Sequence, residues 1–185
     1  MPVSNIPSPS PKNPLPGALI EAVENDDITV VRRLLQQNTD VNERDPKGNT
    51  ALNLAANRGY IEIARLLIDK GANLDSRNMQ GNTPLMSAVS SYNFNRDSVV
   101  RLLLSKGASY DIKNNNGETA MSLAVKLQRP PLVAQLKEAE ATRKRLAAEY
   151  AKAAEDKRLA EVAERQKRLR DLGKIKPKPG PTPPQ

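Results

Sequence analysis

The sequence has no cysteine, no histidine, no tryptophan and a single phenylalanine among 185 residues. Without histidine or cysteine the usual general bases, nucleophiles and zinc ligands are missing together. Carboxylates remain, but none accompanies a pocket-forming motif, and no phosphate-cradling loop or dinucleotide fingerprint is present. The expectation is a protein that is not an enzyme and that holds no metal and no cofactor. The lack of cysteine also excludes a disulfide framework, which suits a reducing compartment. No apolar run approaches the roughly 18 residues of a membrane span, and the opening MPVSNIPSPSPKNPLPG lacks the apolar stretch of a signal peptide. These readings point to a soluble, cytoplasmic chain, with secretion by a signal-peptide-independent route as the alternative.

What is present is unevenly spread. The hydrophobic share is 38%, low for a compact globule, and the 15 prolines gather mostly at the two ends, so the folded part is expected to be shorter than the chain. The net charge is +8. Gly17 to Asn114 carries 12 basic and 12 acidic side chains, whereas Lys137 to Gln185 carries 14 basic and 8 acidic. The basic excess belongs to the tail, not to the repeat region.

Two stretches, RLLIDKGANLD from Arg65 and RLLLSKGASYD from Arg101, repeat one phrase 36 residues apart. Repetition at such a distance signals a stacked architecture. Gly48, Thr50, Leu52 and Ala55 recur at Gly81, Thr83, Leu85 and Ala88, a shift of 33. Backwards by 33, Leu52, Ala55, Ile61, Ile63 and Leu67 fall on Leu19, Ala22, Ile28, Val30 and Leu34. Forwards, the front of the third unit recurs 36 later at Gly117, Thr119, Met121 and Ala124, while Val99, Val100 and Leu103 recur 33 later at Leu132, Val133 and Leu136. The underlying period is 33, and one unit carries three extra residues within SSYNFNRD.

Each unit reads as a helix–turn–helix. Thr50, Thr83 and Thr119 precede apolar runs and suit helix N-caps; Pro84 suits a first helical turn. Small residues such as Ala55 and Ala56 would let neighbouring helices approach closely. Gly71 and Gly107 are placed to end second helices in the left-handed conformation, with Asn38 replacing glycine in the first unit. VNERDPKGN, LDSRNMQGN and YDIKNNNGE are rich in turn formers and would project as hairpin-like fingers. No unit could bury its apolar face alone; stacking does so.

These residues resemble the ankyrin repeats. DPKGNTALNLAANRGYIEIARLLIDKGANLD follows the family pattern nearly throughout, MQGNTPLMSAV and NNGETAMSLAV repeat its front half, and GALIEAVENDDITVVRRLLQQNTDVNERD looks like an amino-terminal capping unit. The expected fold class is an all-α ankyrin-repeat solenoid over residues 15–136, in units of about 15–45, 46–78, 79–114 and 115–136. One departure stands out: the family's usual histidine after T-P-L is here Asn53, Met86 and Ser122. Its hydrogen bonds to the turn are therefore expected to be absent or altered, weakening the stack a little.

Beyond the repeats, KEAEATRKRLAAEYAKAAEDKRLAEVAERQKRLRDL is built almost wholly from strong helix formers. Glu140–Lys144, Glu161–Arg165 and Glu164–Arg168 are i,i+4 pairs in the favourable order. A single charged helix is expected from about Pro131 to Leu172, roughly 60 Å long, with 137–172 as the extension proper. Gly173 would cap it before a Lys/Pro-rich disordered tail, 173–185, matching the disordered Pro-rich start, 1–14. Leu132, Leu136, Ala139, Leu146, Tyr150 and Ala153 fit a coiled-coil spacing, but Arg143 and Lys157 interrupt it, and Leu159, Val162 and Leu169 continue in a shifted register, so the seam is thin. A solvated helix and one that docks a second partner both remain open.

The resemblance implies a protein partner on the concave face of fingers and first helices. The variable positions there are Arg44, Lys47, Asn49, Asn57 and Arg58, then Arg77, Met79, Gln80, Asn82, Ser90 and Ser91, with Lys113, Asn116, Glu118 and Lys126 in the last unit. They lean basic within a neutral domain, which favours an acidic partner. The inserted loop, read as Tyr92–Asp97, adds Tyr92 and Phe94 as interface anchors, although Phe94 folding back over the stack is an equal option. The expected function is a monomeric, non-enzymatic adaptor or scaffold. Alternatives are a basic-tailed factor associated with nucleic acid or membrane, using the repeats as scaffold, a bacterial secreted ankyrin effector, or a regulator whose tail folds back on its own face. Mixed charge and the lack of stacking aromatics argue against nucleic acid, and the missing apolar face argues against membrane. The pattern from Lys178 to Pro184 also fits a polyproline ligand.

Overall fold

The computed structural model describes residues 15–37 and 39–173. The Pro-rich start, Asn38 with its expected capping role, and the tail from Lys174 with its polyproline pattern lie outside the described residues. The chain divides into two units, one ending at Glu140 and one beginning at Ala141.

The first unit is a stack of helix pairs. In chain order they are α1 (Ala18–Glu24) with α2 (Ile28–Gln36), α3 (Ala51–Arg58) with α4 (Ile61–Asp69), α5 (Pro84–Ser90) with α6 (Arg96–Ser105), and α7 (Ala120–Lys126) with the start of α8 (Pro130–Gly173). Among the described residues the only extended pairing is an isolated antiparallel bridge between Arg44 and Thr50, within the first finger.

Local chemistry sets the helix starts. The hydroxyls of Thr50, Thr83 and Thr119 accept from the backbone N–H groups of Asn53, Met86 and Ser122 at 3.4, 3.3 and 3.2 Å, filling one of the open donors of each first turn. Asp27 does the same for α2 through the N–H of Val30. Helix α1 has no such neighbour. Instead Glu43, from the first finger, accepts from the N–H groups of Gly17, Leu19 and Ile20. Its negative charge at a helix N-terminus is favourable.

The turn between the helices of a pair follows the same logic. Asp26, Gly59 and Gln128 hold corresponding places in the first, second and fourth pairs, and all three have positive φ, 55°, 75° and 53°. The third pair dispenses with this turn, because the insertion falls there. Helix α6 begins at Arg96, so the connecting loop is Ser91–Asn95, shorter than the expected Tyr92–Asp97: Arg96 and Asp97 belong to the first helical turn.

Stacking buries what no single pair could. Helix α3 lies on α1, α5 on α3 and α7 on α5, with α4 against α2 and α6 against α4 in the second row. Leu52, Ala55, Ala56, Leu85, Ala88 and Val89 are fully buried along the middle of the inner row, and Ile63, Leu67, Val100 and Leu103 in the outer one. Each large side chain so covered contributes about 1.5–3 kcal/mol. Leu132 and Leu136 of α8 complete this core.

The second unit is the rest of α8. Its described side chains from Ala141 onward are exposed, Leu146, Tyr150, Leu159 and Val162 among them. Glu164 and Arg168 form the expected ion pair at 2.6 Å, and Arg145 and Glu149 a further one at 3.1 Å. Helix-forming composition explains the persistence of α8 better than packing does. No helix among the described residues is long and apolar enough to cross a membrane.

Candidate partner-binding surface

The fingers are built on three corresponding residues, Asp45, Asn78 and Asn114. In each, Oδ1 accepts two backbone N–H groups across the turn: Lys47 and Asn49, Gln80 and Asn82, Asn116 and Glu118. The free amide of Asn78 then donates to Asn49 Oδ1, and that of Asn114 to Asn82 Oδ1, both at 2.9 Å. Backbone bonds from Met79 N to Lys47 O and from Asn115 N to Gln80 O run beside them. One finger is thereby tied to the next.

Several residues expected at the surface take part in that tie. Arg44 donates through one nitrogen to the carbonyls of Gly48 and Arg77, 2.7 Å each. Arg77 donates to Gly81 O and to Asn115 Oδ1. Asn49 and Asn82 are links in the amide ladder. The exposed remainder of the fingers is Lys47, Met79, Gln80 and Lys113, with Met79 projecting furthest among the apolar side chains.

The far ends of the inner helices carry the rest. Asn57 donates to Ser87 O at 3.5 Å, and Arg58 caps the preceding pair by donating to Glu24 O at 3.0 Å. Ser90 is half-buried. Ser91 is buried, its hydroxyl accepting from the N–H of Asn93. Beyond it Tyr92 is 85% exposed and Phe94 100% exposed. Phe94 does not fold back over the stack.

A residue with no signal in the sequence pattern holds this loop. Arg129, at the turn into α8, is buried and donates to the carbonyl oxygens of Val89 and Ser91. Its guanidinium lies 5.1 Å from the centre of the Tyr92 ring, within cation–π range. Burial, and then the nearby charge of Arg96, pull this guanidinium below its ordinary pKa, against Tyr92 and Asp97; it stays a cation regardless. Arg96 and Asp97 approach to 3.4 Å without hydrogen-bond geometry. The insertion removes the left-handed turn that elsewhere closes an inner helix, so the last carbonyls of α5 need a donor from outside, and Arg129 supplies it.

In the fourth unit Lys126 pairs with Glu118 at 2.7 Å, and Asn114 donates to the same carboxylate at 3.1 Å. The hydrogen bond from Lys126, then that from Asn114, hold Glu118 below the usual carboxylate range, outweighing its partial desolvation. Lys126 is therefore a partly neutralised cation. Among the described residues no cluster of three metal-ligating side chains occurs, so the surface offers hydrogen-bonding and apolar contact.

The position of the missing histidine is resolved by Asn53. Buried between Thr50 and Ser76, its Oδ1 accepts from Thr50 N and Thr50 Oγ1, while its amide donates to Asn82 O of the next finger at 3.3 Å. Ser122 keeps only the local exchange with Thr119, and Met86 is buried with no polar group to offer. The expected link is thus altered at 122, lost at 86 and retained in another form at 53.

No curated protein matches this chain. A family model for ankyrin repeats, in three copies, matches residues 19–114, the span of the first three helix pairs and their fingers. Ankyrin repeats are generally protein–protein interaction modules, typically without catalytic activity. With finger, inner helix and outer helix recurring at the observed period, this chain belongs to the ankyrin-repeat family.

Proposed function

We propose that this protein is a non-enzymatic adaptor that grips a protein partner between its fingers and the Ser91–Asn95 loop. The observation that carries this reading is the loop itself: the only phenylalanine of the chain stands fully exposed beside a tyrosine held by Arg129. Aromatic side chains presented on a fixed backbone lose little entropy on binding and serve as anchors. Lys47 and Lys113 at the fingers and Met79 between them supply a basic, partly apolar rim, suited to a partner with acidic side chains. Arg44 and Arg77 add to the positive charge, but with guanidinium groups held by carbonyl and amide oxygens of the stack. Asn57, Arg58, Gln80 and Ser90 complete the contact surface.

The test is affinity capture from the source cell's lysate with the full chain, Phe94→Ala, Tyr92→Ala and Lys47→Glu. We expect one protein to be retained by the full chain and lost by about ten-fold or more with either aromatic substitution, with Phe94→Ala leaving thermal stability unchanged. Recovery that follows residues 137–185 alone, and that collapses with salt or nuclease, would instead assign function to that basic segment. A second contact on α8 is supported by exposed Leu146, Tyr150, Leu159 and Val162; its loss on Tyr150→Glu, with the first partner retained, is the corresponding check.

A further inference from the structure

The end of the stack is not closed. A groove of about 400 Å³ lies between α7 and the first turns of α8, lined chiefly by Val125, Pro130, Val133 and Ala134, with Arg129 and Lys137 as its charged members. The repeat period shows what such a face is for. Val125 occupies the place of Val23, Ala56 and Val89, and Val133 that of Val31, Ala64 and Val100. All six of those earlier residues are fully buried; the helices that follow in the stack are α3, α5 and α7 in the inner row and α4 and α6 in the outer, with Leu132 and Leu136 of α8 in the same core. At the fourth pair the residues keep the apolar identity of a covered position, yet Val125 is 59% exposed.

A terminal unit that only had to meet water would carry polar side chains here. The other end of the stack does: exposed Glu21 stands where later units have Leu54, Ser87 and Leu123. At the C-terminal face such changes are few: Gln135 stands where Leu66 and Leu102 do, and one change brings a charge. Lys137 replaces Leu35, Ile68 and Leu104, and it sits at the groove's rim, with no carboxylate among the lining residues.

We propose that this groove docks an α-helix of a partner protein, one that presents small apolar residues at i, i+3 and i+4 and a carboxylate toward Lys137. The helical form follows from what covers the same positions at every earlier junction. The sign of the charge follows from Lys137, and it disfavours a second copy, whose own Lys137 and Arg129 would meet like charges across a two-fold. This face shares only Arg129 with the aromatic loop, and its test reads Val125 and Val133, so it stands or falls independently of the adaptor reading.

The experiment uses the full chain with labelled valine methyl groups and two synthetic helices of about five turns. Both carry an Ala/Leu stripe; one is flanked by glutamate, the other by lysine. The glutamate helix is expected to shift the Val125 and Val133 methyl signals and to bind about ten-fold tighter than its lysine twin. Lys137→Glu, an exposed change that leaves the core intact, is expected to reverse that order, and Val133→Asp to abolish the shift at Val125. The proposal is overturned if neither helix moves those two methyls, or if the preference survives Lys137→Glu. It is equally overturned if the chain alone sediments as a dimer that Val133→Asp dissociates, or if removing residues 174–185 changes the same signals. Those results would assign the groove to a second copy or to the chain's own end.

Discussion

Arg129 stacks 5.1 Å from the ring centre of Tyr92 while its guanidinium closes the end of helix α5 on the carbonyls of Val89 and Ser91. One side chain thus solves two problems created by the insertion. It satisfies acceptors that the lost left-handed turn would have covered, and it fixes the base of a loop whose tip is exposed.

Replacing it should be costly. Arg129→Met leaves buried carbonyls without a donor and removes charge-assisted bonds, for which a loss of about 2–3 kcal/mol is expected. Arg129→Lys should recover less than half, since one ammonium cannot reproduce the planar fork. Urea unfolding monitored by tyrosine fluorescence gives the answer. A wild-type midpoint for Arg129→Met would mean that water serves those carbonyls and that the clamp is not structural.

The left-handed turns give the opposite sign. Asp26 and Gln128 adopt φ values that glycine takes without steric cost, and Gly59 shows glycine in the same role. Gln128→Gly should stabilise by roughly 0.5–1 kcal/mol, the relief of strain exceeding the added freedom of the unfolded chain. Gly59→Ala should lose at least about 1 kcal/mol, because its new Cβ would also stand 2.5 Å from Asn93 Oδ1. Calorimetric melting of the two variants checks both signs. A Gln128→Gly melt below wild type would show that Gln128 is held by contacts rather than strained.

The contrast between those turns shows what was legible in the sequence. The period of 33 located every helix pair and confined the insertion to SSYNFNRD; the threonine caps and the course of α8 followed from local chemistry. Contacts between residues far apart were not legible. Glu43 caps a helix that begins before it, and no local pattern marks a finger glutamate as a cap. Arg44 and Arg77 read as free surface charge because only the stacking of fingers brings carbonyls within their reach. Phe94 has two consistent positions in the sequence, against the stack or in solvent, and the structure leaves it fully exposed.

Asn53 tests whether the substitute for histidine is equivalent to it. Asn53→Ala would leave the N–H of Thr50 buried without its acceptor and cut the link to Asn82 O, a loss expected near 2 kcal/mol. Asn53→His should retain most of the stability if the link to the next finger is the larger part. Should it instead match alanine in urea titration, the closed triad of Thr50, Asn53 and Ser76 is what matters.

The fourth unit should carry an acid-sensitive contribution to stability. Glu118 has its pKa lowered by the hydrogen bond from Lys126, then that from Asn114. A folded-state value below the unfolded one means that the unfolded chain binds the proton more readily. The contribution is therefore fully present above the ordinary carboxylate range and is lost as pH falls through the lower folded-state value. Glu118→Gln should remove this dependence, so wild type and variant should converge in stability at low pH and separate towards neutrality. Melting temperatures of the pair across the acidic range give the measurement. A constant difference at every pH would show that the glutamate acts through its shape alone, and that Lys126 is free to face a partner.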